Sequence, residues 1–238
     1  MKLATLLASS AFALSATAAN ATIFQFDGSD GVGGAFDLPT NMGNVTSCNS
    51  SASNGTDLCT IDDAEGFSYS RNGIAFTAVG FSEDAPSELI QDLIGPNQGL
   101  GVITAGESRQ TQDQINAAFS ESIVVTFDEE AELSNIVLND GIGNDCPGGG
   151  GEGACGEVEI IVDGVSSLLT EFLAGGVLTA DGVNPYTATG TVFEFIALTV
   201  GGGFSIEEFE VVPVPGALPL LLSGIAGLGF AARRRKSV

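Results

Sequence analysis

The feature that most constrains this chain is a period of two. Phe67 and Tyr69, then Ile74 and Phe76, then Ile123, Val125 and Phe127, then Val158, Ile160 and Val162 each place apolar side chains on one side of an extended backbone. The breaks between these runs are turn-forming. Arg71-Asn72-Gly73 and Asp163-Gly164 are hairpin signals, because Asn, Asp and Gly tolerate the positive φ that a two-residue turn needs. Thr22 to Phe26 reads as an opening strand and Thr191 to Val200 as a nearly continuous apolar central strand. Phe204 to Val211 is expected to return across Gly201 to Gly203. Glu121–Phe127 and Glu132–Leu138 read as two strands joined by a turn at Asp128-Glu129-Glu130. One segment, Pro86 to Ile94, is expected to form a helical turn or two, capped by Ser87 and stopped by Gly95-Pro96. About eight to ten short strands with almost no helical period predict an all-β fold, an antiparallel β-sandwich of jelly-roll type.

Asp27 to Asp63 interrupts that pattern with a long Gly-, Asn-, Ser- and Asp-rich stretch. Its Asn44, Asn49 and Asn54 each open an N-x-S/T triplet, read here as turn-forming polar sequence. The four cysteines fall as two close pairs, Cys48 with Cys59 and Cys146 with Cys155, each bracketing polar sequence. An even count in an exported chain points to disulfides. Three connectivities are possible, and the spacing favours local pairing.

Export is read from both ends. Met1 to Ala21 has a lysine, an apolar region and a small-x-small site at Ala19-Asn20-Ala21, the form of a signal peptide. Pro215 to Ala232 is an apolar run of 18 residues, roughly 27 Å as a helix and so at the short end of a membrane span, and Arg233, Arg234, Arg235 and Lys236 follow it. The expected layout is 1–21 signal peptide, 22–211 secreted domain and 212–238 a tail containing a single transmembrane helix. With both ends set aside, Arg71 and Arg109 stand against 30 acidic residues, a net −28. Such a field excludes nucleic acid and anionic lipid surfaces as partners and suits solubility in a saline medium.

The tail VPVPGALPLLLSGIAGLGFAARRRK resembles the C-terminal sorting signals of exosortase substrates, the PEP-CTERM group, and most closely their VPLPA variant. Val212, Pro213 and Pro215 match that variant, Val214 stands where Leu is usual and Gly216 where Ala is usual, and Arg233 to Arg235 supply its terminal cluster. The resemblance implies a Gram-negative host and a membrane protease that cuts near the proline motif. It further implies release from a membrane-tethered precursor to the cell surface or an exopolysaccharide matrix. More loosely, Gly99-Leu-Gly-Val102, Gln114-Ile115-Asn116, ESIVVTF and LSNIVL are similar to the body of many PEP-CTERM proteins. That second likeness implies a β-sandwich and no particular activity.

Chemistry is bounded mainly by what the composition omits. Without His, the Ser/His/Asp and Cys/His arrangements and His-ligated metals are excluded, and between the two ends there is no Lys for Ser/Lys or Schiff-base chemistry. The glycine run 148–151 lacks the Lys-Ser/Thr of a phosphate-binding loop. The expectation is a non-enzymatic secreted or surface protein with no required cofactor. Calcium is the ion best matched to the oxygen-rich loops, through Asp140, Asn144 and Asp145, with Asp27-Gly-Ser-Asp30 a looser cluster. The first alternative is therefore a Ca²⁺-dependent carbohydrate-binding or adhesive module. The second is a glycan-cleaving enzyme using two carboxylates.

Overall fold

Three tight hairpins set the local architecture of the structure, a computed structural model describing residues 20–26, 36–48, 57–93, 99–104, 115–139, 155–198 and 203–214. Asn72 and Gly73 have φ of 53° and 82°, and Asp163 and Gly164 have 48° and 83°, so both expected two-residue turns form. A third hairpin turns on Glu83 and Asp84, at φ 48° and 65°, with no glycine to announce it.

The strands in chain order are β1 (Thr22–Gln25), β2 (Val45–Cys48), β3 (Asp57–Thr60), β4 (Phe67–Arg71), β5 (Ile74–Ser82), β6 (Ala85–Asp92), β7 (Gly99–Ile103) and β8 (Ile115–Asn116). They continue as β9 (Glu121–Asn139), β10 (Val158–Val162), β11 (Val165–Leu169), β12 (Glu171–Phe172), β13 (Leu178–Thr179), β14 (Ala188–Ala197) and β15 (Gly203–Pro213). The only helical turns among the described residues are two short 3-10 turns, Met42–Asn44 and Ala117–Phe119. The fold is all-β, as the period of two predicts. The Pro86–Ile94 helix does not form. Pro86 to Asp92 belong to β6, which pairs with β5, β7 and β3 so that burial of Leu89 and Ile90 overrides the local helix signal, and Ile94 lies outside the described residues.

The expected two-sheet sandwich is corrected to a barrel. Thirteen strands belong to one sheet, and within it β15, β7, β6, β5 and β9 form a ring that closes when β9 pairs with β15. β14, β10 and β11 extend outward from β9, while β1, β4 and the β3–β2 pair are laid on β15, β5 and β6. Closure depends on β9 being one strand of 19 residues rather than two strands around a turn. β14 pairs along one edge of β9 from Ser122 to Leu133, on both sides of the bulge. On the other edge β5 pairs with Glu121–Phe127 and β15 with Ala131–Asn139. Asp128, Glu129 and Glu130 are the exposed bulge between the halves, where two β14 positions span five on β9. β15 therefore does not fold back on β14 across its glycines. It crosses to β9, β7 and β1.

Closing the ring also requires close backbone approach. Gly99 has φ 114°, and a Cβ there would lie 2.4 Å from the Ile206 carbonyl oxygen, where β7 meets β15. The core between the walls is rich in aromatics. Phe76 stacks on Tyr69 with centroids 5.0 Å apart, meets Phe24 edge-on at 4.8 Å and packs against Phe127 and Phe209.

Candidate functional site

The bulge in β9 creates the first concave surface. Where β5 and β15 part from β9, Gly73, Ile74, Ala75 and Pro213 face Phe127, Ala131 and the three acids across a recess of about 130 Å³. Its floor is held by backbone pairing, Phe76 with Phe127 and Pro213 with Ala131. Val214 continues the ladder, its N–H donating to the Glu130 carbonyl at 3.2 Å. Three exposed carboxylates without a fixed cation could attract hard cations or basic side chains, although acids in this number also serve solubility.

A larger recess of about 300 Å³ is lined by Asp84 of the β5–β6 turn, Ser120 and Ser122 at the start of β9, and Glu194, Ile196 and Leu198 at the end of β14. Ser122 Oγ donates to Glu194 Oε1 at 2.9 Å. A carboxylate alone is too weak a base to activate a serine, so these groups can orient a hydroxylated or cationic ligand rather than attack one.

Two further polar sets are structural. Glu121 is fully buried and accepts hydrogen bonds from the Thr104 hydroxyl and from Asn116 N at 2.8 Å, tying β8 to the start of β9. Asp181 accepts from Asn184 N at 2.8 Å, from Asn184 Nδ2 at 2.9 Å and from Val183 N at 2.9 Å, and these bonds hold its carboxyl well below the usual carboxylate range. Cys48, Cys59 and Glu88 lie close enough to suggest a metal cluster, but the two sulfurs are joined to each other and cannot act as thiolates.

Of the residues singled out from sequence, Cys48 and Cys59 are brought together as a disulfide linking β2 to β3, with Cα atoms 5.8 Å apart. Cys155 is buried and likewise disulfide-bonded, and Cys146 lies outside the described residues. Val212 and Pro213, read from sequence as the start of the tail, are the last residues of β15, paired with Glu132 and Ala131. Ala21 is exposed just before β1. Ala19, Pro215, Gly216, Arg233, Arg234 and Arg235 lie outside the described residues, as do Asp140, Asn144, Asp145 and the Asp27–Asp30 cluster. Among the described residues no helix is long and apolar enough to cross a membrane, and the apolar tail falls outside them.

The recess at the bulge escaped the sequence reading because Asp128-Glu129-Glu130 looked like a turn. Composition could not separate bulge from turn, since the Glu83-Asp84 hairpin is a true turn equally without Gly, Asn or Pro. Taken together, the closed ring with its outer strands defines the class of fold, a β-barrel with appended sheet. Comparisons with protein-family models, with curated proteins and with solved structures find no match.

Proposed function

We propose that this chain is an exported, non-catalytic barrel domain, delivered by an exosortase-type system to the cell envelope or exopolysaccharide matrix. The observation that carries the reading is the Cys48–Cys59 disulfide, joined by a disulfide-bonded Cys155. Disulfides of this kind persist in oxidising compartments, which agrees with the signal-like N-terminus and the VPLPA-like tail. The acidic composition supports a soluble role outside the cell, and the two recesses offer ligand-orienting groups without an activated nucleophile.

Under this reading the first two residues of the proline motif, Val212 and Pro213, belong to β15, and the sorting protease acts near that motif. The test is fractionation of the native host carrying Pro215→Ala with Gly216→Lys. The variant should accumulate as a full-tail precursor in membranes, while the wild-type domain reaches the surface or medium. Equal distribution of the two forms would overturn the sorting role.

A further inference from the structure

A sheet edge that is neither paired nor covered offers a row of N–H and C=O groups to any extended chain. The path of the large sheet ends at β1 on one side and β11 on the other. The two ends are treated differently. On β1, Phe26 N donates to Glu207 O, so Phe24 bonds toward β15 while Ile23 and Gln25 face outward. Those outward groups are used. Gln25 N donates to Asp37 Oδ2 at 3.0 Å, Asp37 N donates to Gln25 O at 2.7 Å, and Arg71 Nη1 donates to Ile23 O at 3.2 Å.

Among the described residues the β11 end has no such cover. Val162 and Val165 close the Asp163-Gly164 hairpin, and in a two-residue hairpin the closing pair exchanges hydrogen bonds. The alternation then turns the N–H and C=O of Ser166 and Leu168 outward. Asp163 N donating to Val192 O and Leu198 N donating to Glu157 O fix the same parity on β10. No described group bonds the outward backbone of Ser166 or Leu168. The strand has none of the usual guards: Val165-Ser-Ser-Leu-Leu169 carries no charge and no proline, and Val165 and Leu168 are 69% and 57% exposed. β2 also lacks an outer neighbour, but its exposed side chains are the hydroxyls of Thr46 and Ser47.

Charge decides the occupant. The ionisable groups around this end of the sheet are Glu157, Glu159, Asp163, Glu171 and Glu194. The one basic side chain among the described residues, Arg71, is at the other end and paired with Asp37. A second copy of the chain would bring the same acids. Two β11 edges brought together would therefore add acidic side chains to acidic side chains, with no basic group among the described residues at this end to offset them. We propose that β11 is a docking edge which takes an extended, cationic segment of another protein as an added strand. The backbone of Ser166 and Leu168 supplies the hydrogen bonds, Val165 and Leu168 supply apolar contact, and the surrounding acids select Lys or Arg at the flanks.

The test uses the mature chain with two fluorescein-labelled peptides at millimolar concentration, each with an alternating Val-Thr core. One is flanked by Lys and the other by Glu. Fluorescence anisotropy should show the Lys-flanked probe binding about tenfold more tightly at low salt, a preference that salt removes. Amide exchange at Ser166 and Leu168 should slow when it binds. Leu168→Pro should abolish binding, and proline is tolerated where the N–H faces solvent. Glu171→Gln, which leaves the edge backbone intact, should weaken the Lys-flanked probe about twofold. Unchanged exchange at Ser166 and Leu168 under saturating probe would overturn the proposal, and so would equal binding of both peptides. Sedimentation showing dimers that protect these two amides without any probe would assign the edge to a second copy instead.

Discussion

At the scale of single residues, two glycines with positive φ separate conformational cost from crowding. Gly73 has φ 82° and nothing within 4 Å of where a Cβ would stand, whereas at Gly99 the Cβ would meet the Ile206 backbone. Gly73→Ala should therefore cost about 1 kcal/mol, the ordinary penalty of a left-handed residue. Gly99→Ala should cost at least about 3 kcal/mol, because β7 must withdraw from β15 and open the ring. Urea unfolding of both variants checks this, and equal losses would contradict a closed β7–β15 seam. Tyr69 gives a pH test. Its phenol is 1% exposed and donates to Gln91 Oε1 at 3.2 Å, while burial first and the Asp37 charge second push its pKa well above 10.0. A raised folded pKa means that the stabilisation is complete below the unfolded value and is lost as pH rises beyond it. The urea midpoint should fall as pH rises above about 10, and Tyr69→Phe should flatten that fall.

At the scale of elements, the Cys48–Cys59 bridge closes a short loop, with a sequence separation of 11, and ties β2 to β3 at the margin of the barrel. Replacing both cysteines with Ala should lower stability by about 3 kcal/mol through restored freedom of the unfolded chain. A loss below about 0.5 kcal/mol in urea titration would show that this hairpin is not part of the cooperative unit. The elements also show what the sequence made legible. Hairpins that turn on Asn-Gly and Asp-Gly were readable because those residues accept positive φ cheaply. The Glu83-Asp84 hairpin was not, since its φ values of 48° and 65° are imposed by the pairing of β5 with β6. β6 itself was misread because periodicity in a short segment containing Pro86 and Ser87 does not report the three strands it will meet. The unbroken course of β9 was hidden for a related reason. A bulge and a turn can share the same polar residues, and only the identity of the strands on either side tells them apart.

At the scale of the whole molecule, strand content and antiparallel pairing follow from local alternation, but ring closure does not. Sandwich and barrel use the same inward–outward alternation, and they differ in whether β15 returns to a neighbour in sequence or to the far half of β9. The candidate site was legible only in part for the same reason. The disulfide follows from the even count and close spacing of the cysteines, whereas the recess at Asp128–Glu130 exists because two strands diverge from a third. The account as a whole joins an oxidised barrel to export and tail removal. Its most direct test is the intact mass of the protein recovered from its native host, with envelope and medium kept separate and free thiols alkylated. The account predicts a surface or medium form lacking residues 1–21 and the Arg-terminated tail, with no cysteine alkylated. A membrane form that retains Gly216 to Val238, or one whose cysteines all take up the alkylating reagent, would contradict it.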